Sequence, residues 1–124
     1  MRALVIDDSK AMRLIIGRIL KELGFAVTEA CHGRDALDRL REIGPVDLVL
    51  VDWNMPEMNG LEFVQAVRAD ATYAAMPLMM VSTEAEMARI SAALAAGANE
   101  YVMKPFSAEV IRDKLRLLGF AFAG

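Results

Sequence analysis

The sequence predicts one doubly wound α/β domain: a parallel sheet of five strands covered on both faces by five helices. Three observations carry this. Short apolar runs alternate with segments of helical length, five times over. Four of the runs are predominantly apolar on both faces, as suits strands buried between two layers of helices. The chain has 124 residues, 56% of them hydrophobic, which suits one domain with one sizeable core.

Ala3 to Ile6, Val46 to Val51, Pro77 to Val81 and Glu100 to Met103 read as buried strands. Ala26 to Ala30 holds Thr28 and Glu29 and reads as an edge strand. Between them, Met12, Ile15, Ile16, Ile19, Leu20 and Leu23 recur at three and four residues and predict a helix from about Ser9 to Leu23. Gly24 follows at the position where a left-handed residue ends a helix. Ala36, Leu37, Leu40 and Ile43 form a second stripe, closed by Gly44-Pro45. Leu61, Val64 and Val67 form a third, entered through the turn dipeptide Asn59-Gly60. Thr83 and Glu86 have capping-box spacing and are expected to open a fourth helix that Gly97 ends. Ser107 is placed to cap a fifth, running to about Leu118. Parallel strands joined by right-handed helical crossovers then give the sandwich.

Composition excludes several classes. The net charge of -3 and a pI near 5.1 argue against a nucleic-acid partner, because phosphate backbones call for clustered Lys and Arg. No run approaches the roughly 18 apolar residues of a membrane span. The opening apolar run stops at Asp7-Asp8, unlike a signal peptide. Cys31 is alone, so no internal disulfide forms and a reducing, cytoplasmic compartment is expected. Cys31 reads as a buried or semi-buried filler, and with only His32 beside it there is no metal-binding pattern.

The chemistry lies in where the polar residues fall. Asp7 and Asp8 follow the first strand, Asp52 ends the third, Ser82 ends the fourth and Lys104 follows the fifth. Ligands of open α/β sheets bind beyond the carboxyl ends of the strands, so four strands deliver these groups to one edge. Three carboxylates that close cannot all ionise without a counter-ion. Lys104 leaves the cluster negative, and a hard divalent cation completes it. An incomplete oxygen cage favours Mg²⁺ over Ca²⁺, with Mn²⁺ as a substitute. A carboxylate beside Mg²⁺, a hydroxyl and an ammonium is equipment for phosphoryl transfer. Asp52, alone and central on the edge, is the expected nucleophile.

Five ordered blocks carry a family resemblance: Asp7-Asp8-Ser9, Asp52-Trp53-Asn54-Met55-Pro56, Asn59-Gly60, Val81-Ser82-Thr83-Glu84 and Lys104-Pro105-Phe106. Together they span about Arg2 to Leu118 and resemble the signature of response-regulator receiver domains, most closely the single-domain chemotaxis regulators of the CheY type. The resemblance implies a flavodoxin-like fold with strand order 2-1-3-4-5. It implies Asp52 as phospho-acceptor from a sensor histidine kinase, with Mg²⁺ held by Asp8, Asp52 and the backbone carbonyl of Asn54, and by Asp7 partly through water. Ser82 would hydrogen-bond the phosphoryl group and Lys104 would pair with it, behind a cis Lys104-Pro105 peptide. Tyr101 takes the aromatic switch position, turning inward when Ser82 moves. Asn54, Thr83 and Glu84 would tune dephosphorylation: Asn54 and Glu84 match the pattern of fast-resetting members, whereas Thr83, bulkier than the common alanine, would restrict access of water or donor.

The fourth helix carries two apolar stripes: Met87, Ile90 and Leu94, and Ala88, Ala92 and Ala95. One is expected to pack on the sheet and the other to face solvent as a partner surface. The resemblance places an output face here, with Met87, Ile90, Leu94, Tyr101 and Lys114. Met87 stands where a basic residue is common in the chemotaxis pattern.

The expected function is two-component phosphorelay signalling by a single receiver domain, residues 1–124, without an output domain, catalysing only its own phosphorylation and dephosphorylation. Only Gly119 to Gly124 follow the last helix, so output is expected through a protein: a flagellar motor switch in chemotaxis, or a phosphotransfer protein if the chain is a phosphorelay intermediate. A monomer is expected, with neither nucleic acid nor membrane as partner. A small aspartyl-phosphate phosphatase of the haloacid-dehalogenase type would need its nucleophile after the first strand and an Asp two residues later, where Ser9 stands. A receiver-like scaffold that no longer takes phosphate would lack the acid pair, the acceptor or the lysine, all of which are present.

Overall fold

The computed structural model describes residues 1–83 and 86–122. Strands β1 (Arg2–Ile6), β2 (Ala26–Ala30), β3 (Leu48–Asp52), β4 (Leu78–Ser82) and β5 (Glu100–Met103) alternate with helices α1 (Lys10–Glu22), α2 (Gly33–Ile43), α3 (Gly60–Ala69), α4 (Met87–Ala96) and α5 (Ala108–Leu117). All strand pairs are parallel and the order is β2-β1-β3-β4-β5. β2 is an edge, as its mixed composition predicts.

The pleat explains why the central strands are apolar throughout. Successive side chains leave opposite faces of a sheet. Leu4, Ile6, Val49, Val51, Leu78 and Met80 enter one core with Leu40, Phe63, Val64, Val67 and Ala93, which come from α2, α3 and α4. Ala3, Val5, Leu48, Leu50, Met79 and Val81 enter the other with Ile16, Leu20, Ile111 and Leu115, from α1 and α5. Each buried strand therefore serves two cores.

The helix ends follow local chemistry. The Ser9 side chain accepts from the Met12 N–H, and Ser107 accepts from the Val110 N–H as its sequence position suggests. Asn59, expected in a turn, is the N-cap of α3 in a reciprocal capping box with Glu62. Gly24, Gly44 and Gly97 all take positive φ beyond their helices.

Three expectations need correction. Thr83 does not open the fourth helix. It is exposed directly after β4, and α4 starts at Met87 with Glu86 as an N-cap lacking any side-chain cap bond. Cys31 is exposed, because the chain leaves the edge strand there; its N–H and thiol both approach an Asp35 oxygen, at 3.0 and 3.5 Å. Neither apolar stripe of α4 packs as a unit. Ile90 turns inward with Ala93 and Ala96, while Met87 and Leu94 remain 75% and 45% exposed. The inward face runs between the two stripes, taking Ile90 from one and Ala92 from the other beside Ala93 and Ala96.

After α5, Phe120 and Phe122 pack by Phe25. Phe120 meets the Phe25 ring edge to face at 5.5 Å, and Phe122 stacks on Phe120 at 6.3 Å. This cluster lies on Phe25, just before β2, at the sheet end opposite the acidic residues.

Candidate functional site

The carboxyl ends of β1, β3, β4 and β5 bring Asp7, Asp8, Asp52, Ser82 and Lys104 to one edge of the sheet. Asp7 directly follows β1, and its N–H donates to the Ala30 carbonyl at 3.2 Å. Its Oδ1 accepts from the Ser9 N–H at 2.9 Å, which turns the carboxylate back over the start of α1. Arg13 reaches back from α1 to donate to the Asp7 carbonyl at 2.6 Å, while its Nε pairs with Glu29 at 3.0 Å. Asp52 is the last residue of β3 and Ser82 the last of β4; both are buried. Asp8 is exposed at the rim.

Lys104 crosses this edge from β5. Its N–H donates to the Ser82 carbonyl at 2.9 Å, and the Lys104–Pro105 peptide is cis, as expected. Its Nζ donates to Asp7 Oδ2 at 2.9 Å and stands 3.3 Å from Asp52 Oδ1. One ammonium therefore faces two buried carboxylates, and the charge balance stays negative even before Asp8 is counted. Burial pushes the Asp52 carboxyl up to about 6, and the neighbouring Asp7 charge adds to this while Lys104 opposes it.

One oxygen each from Asp7, Asp8 and Asp52 lies within 4.8 Å of the others. Three hard oxygen donors with excess negative charge fit a divalent cation of the Mg²⁺ type, open on the solvent side where Asp8 lies. Asn54 is exposed two residues after Asp52, on the loop that leaves the site. Thr83 is exposed beside Ser82, and Glu84 lies outside the described residues.

Beyond the site, Tyr101 is already turned inward: it is 8% exposed and belongs to the core shared with α4. Lys114 pairs with Glu100 at 2.9 Å, so its ammonium is directed along β5.

Several residues of this region escaped the sequence reading. His32 caps α2, its Nδ1 accepting from the Asp35 N–H at 3.1 Å. Its Nε2 meets Glu57 at 2.7 Å, across to the β3–α3 loop, where Glu57 has a positive φ of 64°. Arg89 of α4 lies over the Trp53 ring, 5.5 Å from its centre. Both contacts join segments distant in sequence and leave no local spacing signal. The Asn59–Glu62 capping box, by contrast, was readable from its spacing.

Comparison with known proteins agrees with this geometry. Residues 3–116 match the family model described as the response regulator receiver domain. The chain is 49% identical over 116 residues to a chemotaxis protein CheY homolog of Campylobacter jejuni, covering 93% of this chain and 89% of that protein. It is 43% identical over 119 residues to chemotaxis protein CheY1 of Helicobacter pylori, covering 95% and 96%. The structure of Vibrio cholerae chemotaxis protein CheY4 superposes with a TM-score of 0.87 at 34% identity, over 94% of this chain and 96% of that one. Among the described residues, no helix is long and apolar enough to cross a membrane. With its fold, its acidic edge and a family match over nearly its whole length, the chain belongs to the response-regulator receiver family and is built for two-component phosphorelay signalling.

Proposed function

We propose that the chain is a phosphorylation switch of bacterial chemotaxis, with Asp52 as the acceptor of a phosphoryl group from a cytoplasmic sensor histidine kinase. The observation that carries this is the position of Lys104 Nζ, 2.9 Å from Asp7 and 3.3 Å from Asp52, at the edge where Ser82 also ends its strand. An Asp52 oxygen attacks phosphorus while the bond to the donor's imidazole nitrogen breaks, and the departing ring nitrogen keeps the electron pair and takes up a proton. Lys104 is within reach to neutralise oxygen charge on the transferred group, and the Ser82 hydroxyl is on hand as a hydrogen-bond donor. Asp7, Asp8 and Asp52, with the Asn54 carbonyl, would hold Mg²⁺. When bound, that ion supplies electrostatic neutralisation of the phosphoryl oxygens. Catalysis is confined to the chain's own phosphorylation and dephosphorylation, the latter tuned by Asn54, Thr83 and Glu84.

Output goes through a protein contact on the α4–β5–α5 face. The exposure of Met87 and Leu94 there supports this reading, and the chemotaxis role draws support from the Campylobacter and Helicobacter relatives, both named as chemotaxis proteins. The downstream partner is the flagellar motor switch, with a phosphotransfer protein as the alternative.

Acetyl phosphate or beryllofluoride with Mg²⁺ is expected to change the emission of Trp53, the lone tryptophan, directly after Asp52. A silent wild type, or an unchanged response in Asp52→Ala, overturns the acceptor assignment. Binding of purified motor-switch and phosphotransfer proteins, with and without beryllofluoride, separates the two outputs.

A further inference from the structure

Among the described residues, α4 buries fewer side chains than any other helix of the domain. Ala93 is its one buried residue among those described, its N-cap Glu86 makes no side-chain cap bond, and Met87 at its start is 75% exposed. Its carboxyl end is held differently. Arg68 of α3 donates from Nε to the Gly97 carbonyl at 3.0 Å, from Nη1 to the Tyr73 carbonyl at 3.0 Å, and from Nη2 to Asn99 Oδ1 at 3.0 Å. Asn99 Oδ1 in turn accepts from the Leu78 N–H of β4 at 2.8 Å. The end of α4 beside Gly97 is therefore tied into α3 and the sheet.

Near the other end, in the first turn of the helix, the Arg89 guanidinium lies over Trp53. Trp53 is 6% exposed and directly follows Asp52, while Arg89 itself is exposed. A cation over an indole face is attracted by the ring quadrupole, and the long Arg stem covers apolar surface. The Trp53 backbone is held as well, since its carbonyl accepts from the Gly60 N–H at 2.9 Å. The ring is thus a fixed platform at the acceptor end of β3, and Arg89 is the arm by which α4 grips it.

Resting on the reading of Asp52 as acceptor, we infer that Arg89 is a positioning residue whose contact with Trp53 holds the amino-terminal half of α4 in its resting place and so opposes the phosphorylated state. The contact is present while Lys104 pairs with both Asp7 and Asp52, the arrangement of an unphosphorylated site. An interaction made in one of two states biases the equilibrium toward that state, and removing it tightens any ligand that prefers the other.

The test uses beryllofluoride with Mg²⁺ as the probe, its binding followed by calorimetry. Arg89→Met keeps the stem and loses the charge. It is expected to bind beryllofluoride about two- to fivefold more tightly, as loss of an exposed cation–π contact implies. Arg89→Lys, which restores a cation, is expected to return the affinity toward wild type. Iodide is expected to quench Trp53 more strongly in Arg89→Met than in wild type, because the ring loses its cover. Arg89 makes a further interaction besides this one, so a double-mutant cycle isolates the ring's share. In a Trp53→Leu background, checked for folding by thermal melting, Arg89→Met is expected to leave the affinity unchanged. Unchanged or weaker binding in Arg89→Met, or the same tightening in the Trp53→Leu background, overturns the inference while leaving the acceptor assignment standing. Absence of beryllofluoride binding by wild type overturns both.

Discussion

Gly60 is pressed against the backbone of Asp52 so closely that a β-carbon at position 60 would overlap the Asp52 carbonyl oxygen. The neighbouring Gly60 N–H donates to the Trp53 carbonyl, so the first turn of α3 is seated on the end of β3 that bears the acidic side chain. A side chain here must push the strand end and the helix apart. Gly60→Ala is expected to destabilise the domain by about 2–3 kcal/mol, at the upper end of overpacking costs. It should also slow phosphate incorporation, because the Asp52 backbone moves. Gly24→Ala is the control: it has positive φ but no neighbour within 4 Å, so its effect should be confined to stability. Urea denaturation of both variants, beside incorporation from acetyl phosphate, checks this. Full incorporation by a destabilised Gly60→Ala would show that the contact does not position Asp52.

The raised Asp52 carboxyl predicts a direction for stability against pH. Its ordinary value is 3.8 and its folded value is about 6. Below 3.8 both folded and unfolded chains hold the proton. As pH rises toward 6 the unfolded chain releases it first, so this group's contribution to stability declines over that window and stays low above it. Asp52→Asn carries no such penalty. In chelator it is expected to be more stable than wild type at pH 7, by up to about 3 kcal/mol at 1.36 kcal/mol per pH unit, with the gap closing below about pH 4. Urea midpoints at pH 3.5, 5 and 7 measure it. A less stable Asp52→Asn at pH 7 would contradict the electrostatic account.

A divalent cation should act oppositely to the chelator. A ligand that binds only the folded chain raises its stability, by roughly 1.4 kcal/mol at ten times the dissociation constant. Mg²⁺ is therefore expected to raise the thermal midpoint of wild type and to do so less for Asp8→Ala, since Asp8 is the exposed member of the oxygen group. An equal Mg²⁺ response in the two proteins would remove Asp8 from the metal site.

Lys104→Met removes the ammonium that faces two buried carboxylates. Leaving buried charge without its partner is expected to cost on the order of 3–5 kcal/mol at neutral pH. Part of this should return on acidification, as Asp52 takes up a proton. Phosphorylation by acetyl phosphate should also fall by a factor on the order of a hundred, as when one charge-stabilising donor is lost. Undiminished phosphorylation would exclude Lys104 from contact with the transferred group.

The phosphorylated state is expected to reset itself within seconds to minutes. Asn54 is exposed on the loop two residues after Asp52, and Asp8 is the exposed member of the oxygen group, so the solvent side of the site lies at these two residues. Radiolabelled phosphate retained for many hours would contradict this.

Much of the domain is legible in the linear chain because its signals are local. Each buried strand is a run of apolar residues, each helix an apolar stripe with a cap or a glycine at its end, and each acidic or basic site residue abuts the end of a strand. Because the carboxyl ends of parallel strands share one edge, Asp7, Asp52, Ser82 and Lys104 had to meet once the sheet formed. What the linear chain does not contain is which side chains meet across elements. Only the folded structure turns Ile90 inward and leaves Met87 and Leu94 outside, since the packing face of α4 depends on where the helix lies against α3 and β5. Only it exposes Cys31 at the end of an edge strand, seats Phe120 and Phe122 by Phe25, and lays Arg89 over Trp53. The difference is physical: propensity, periodicity and capping act over a few residues, whereas these contacts depend on the relative placement of elements tens of residues apart.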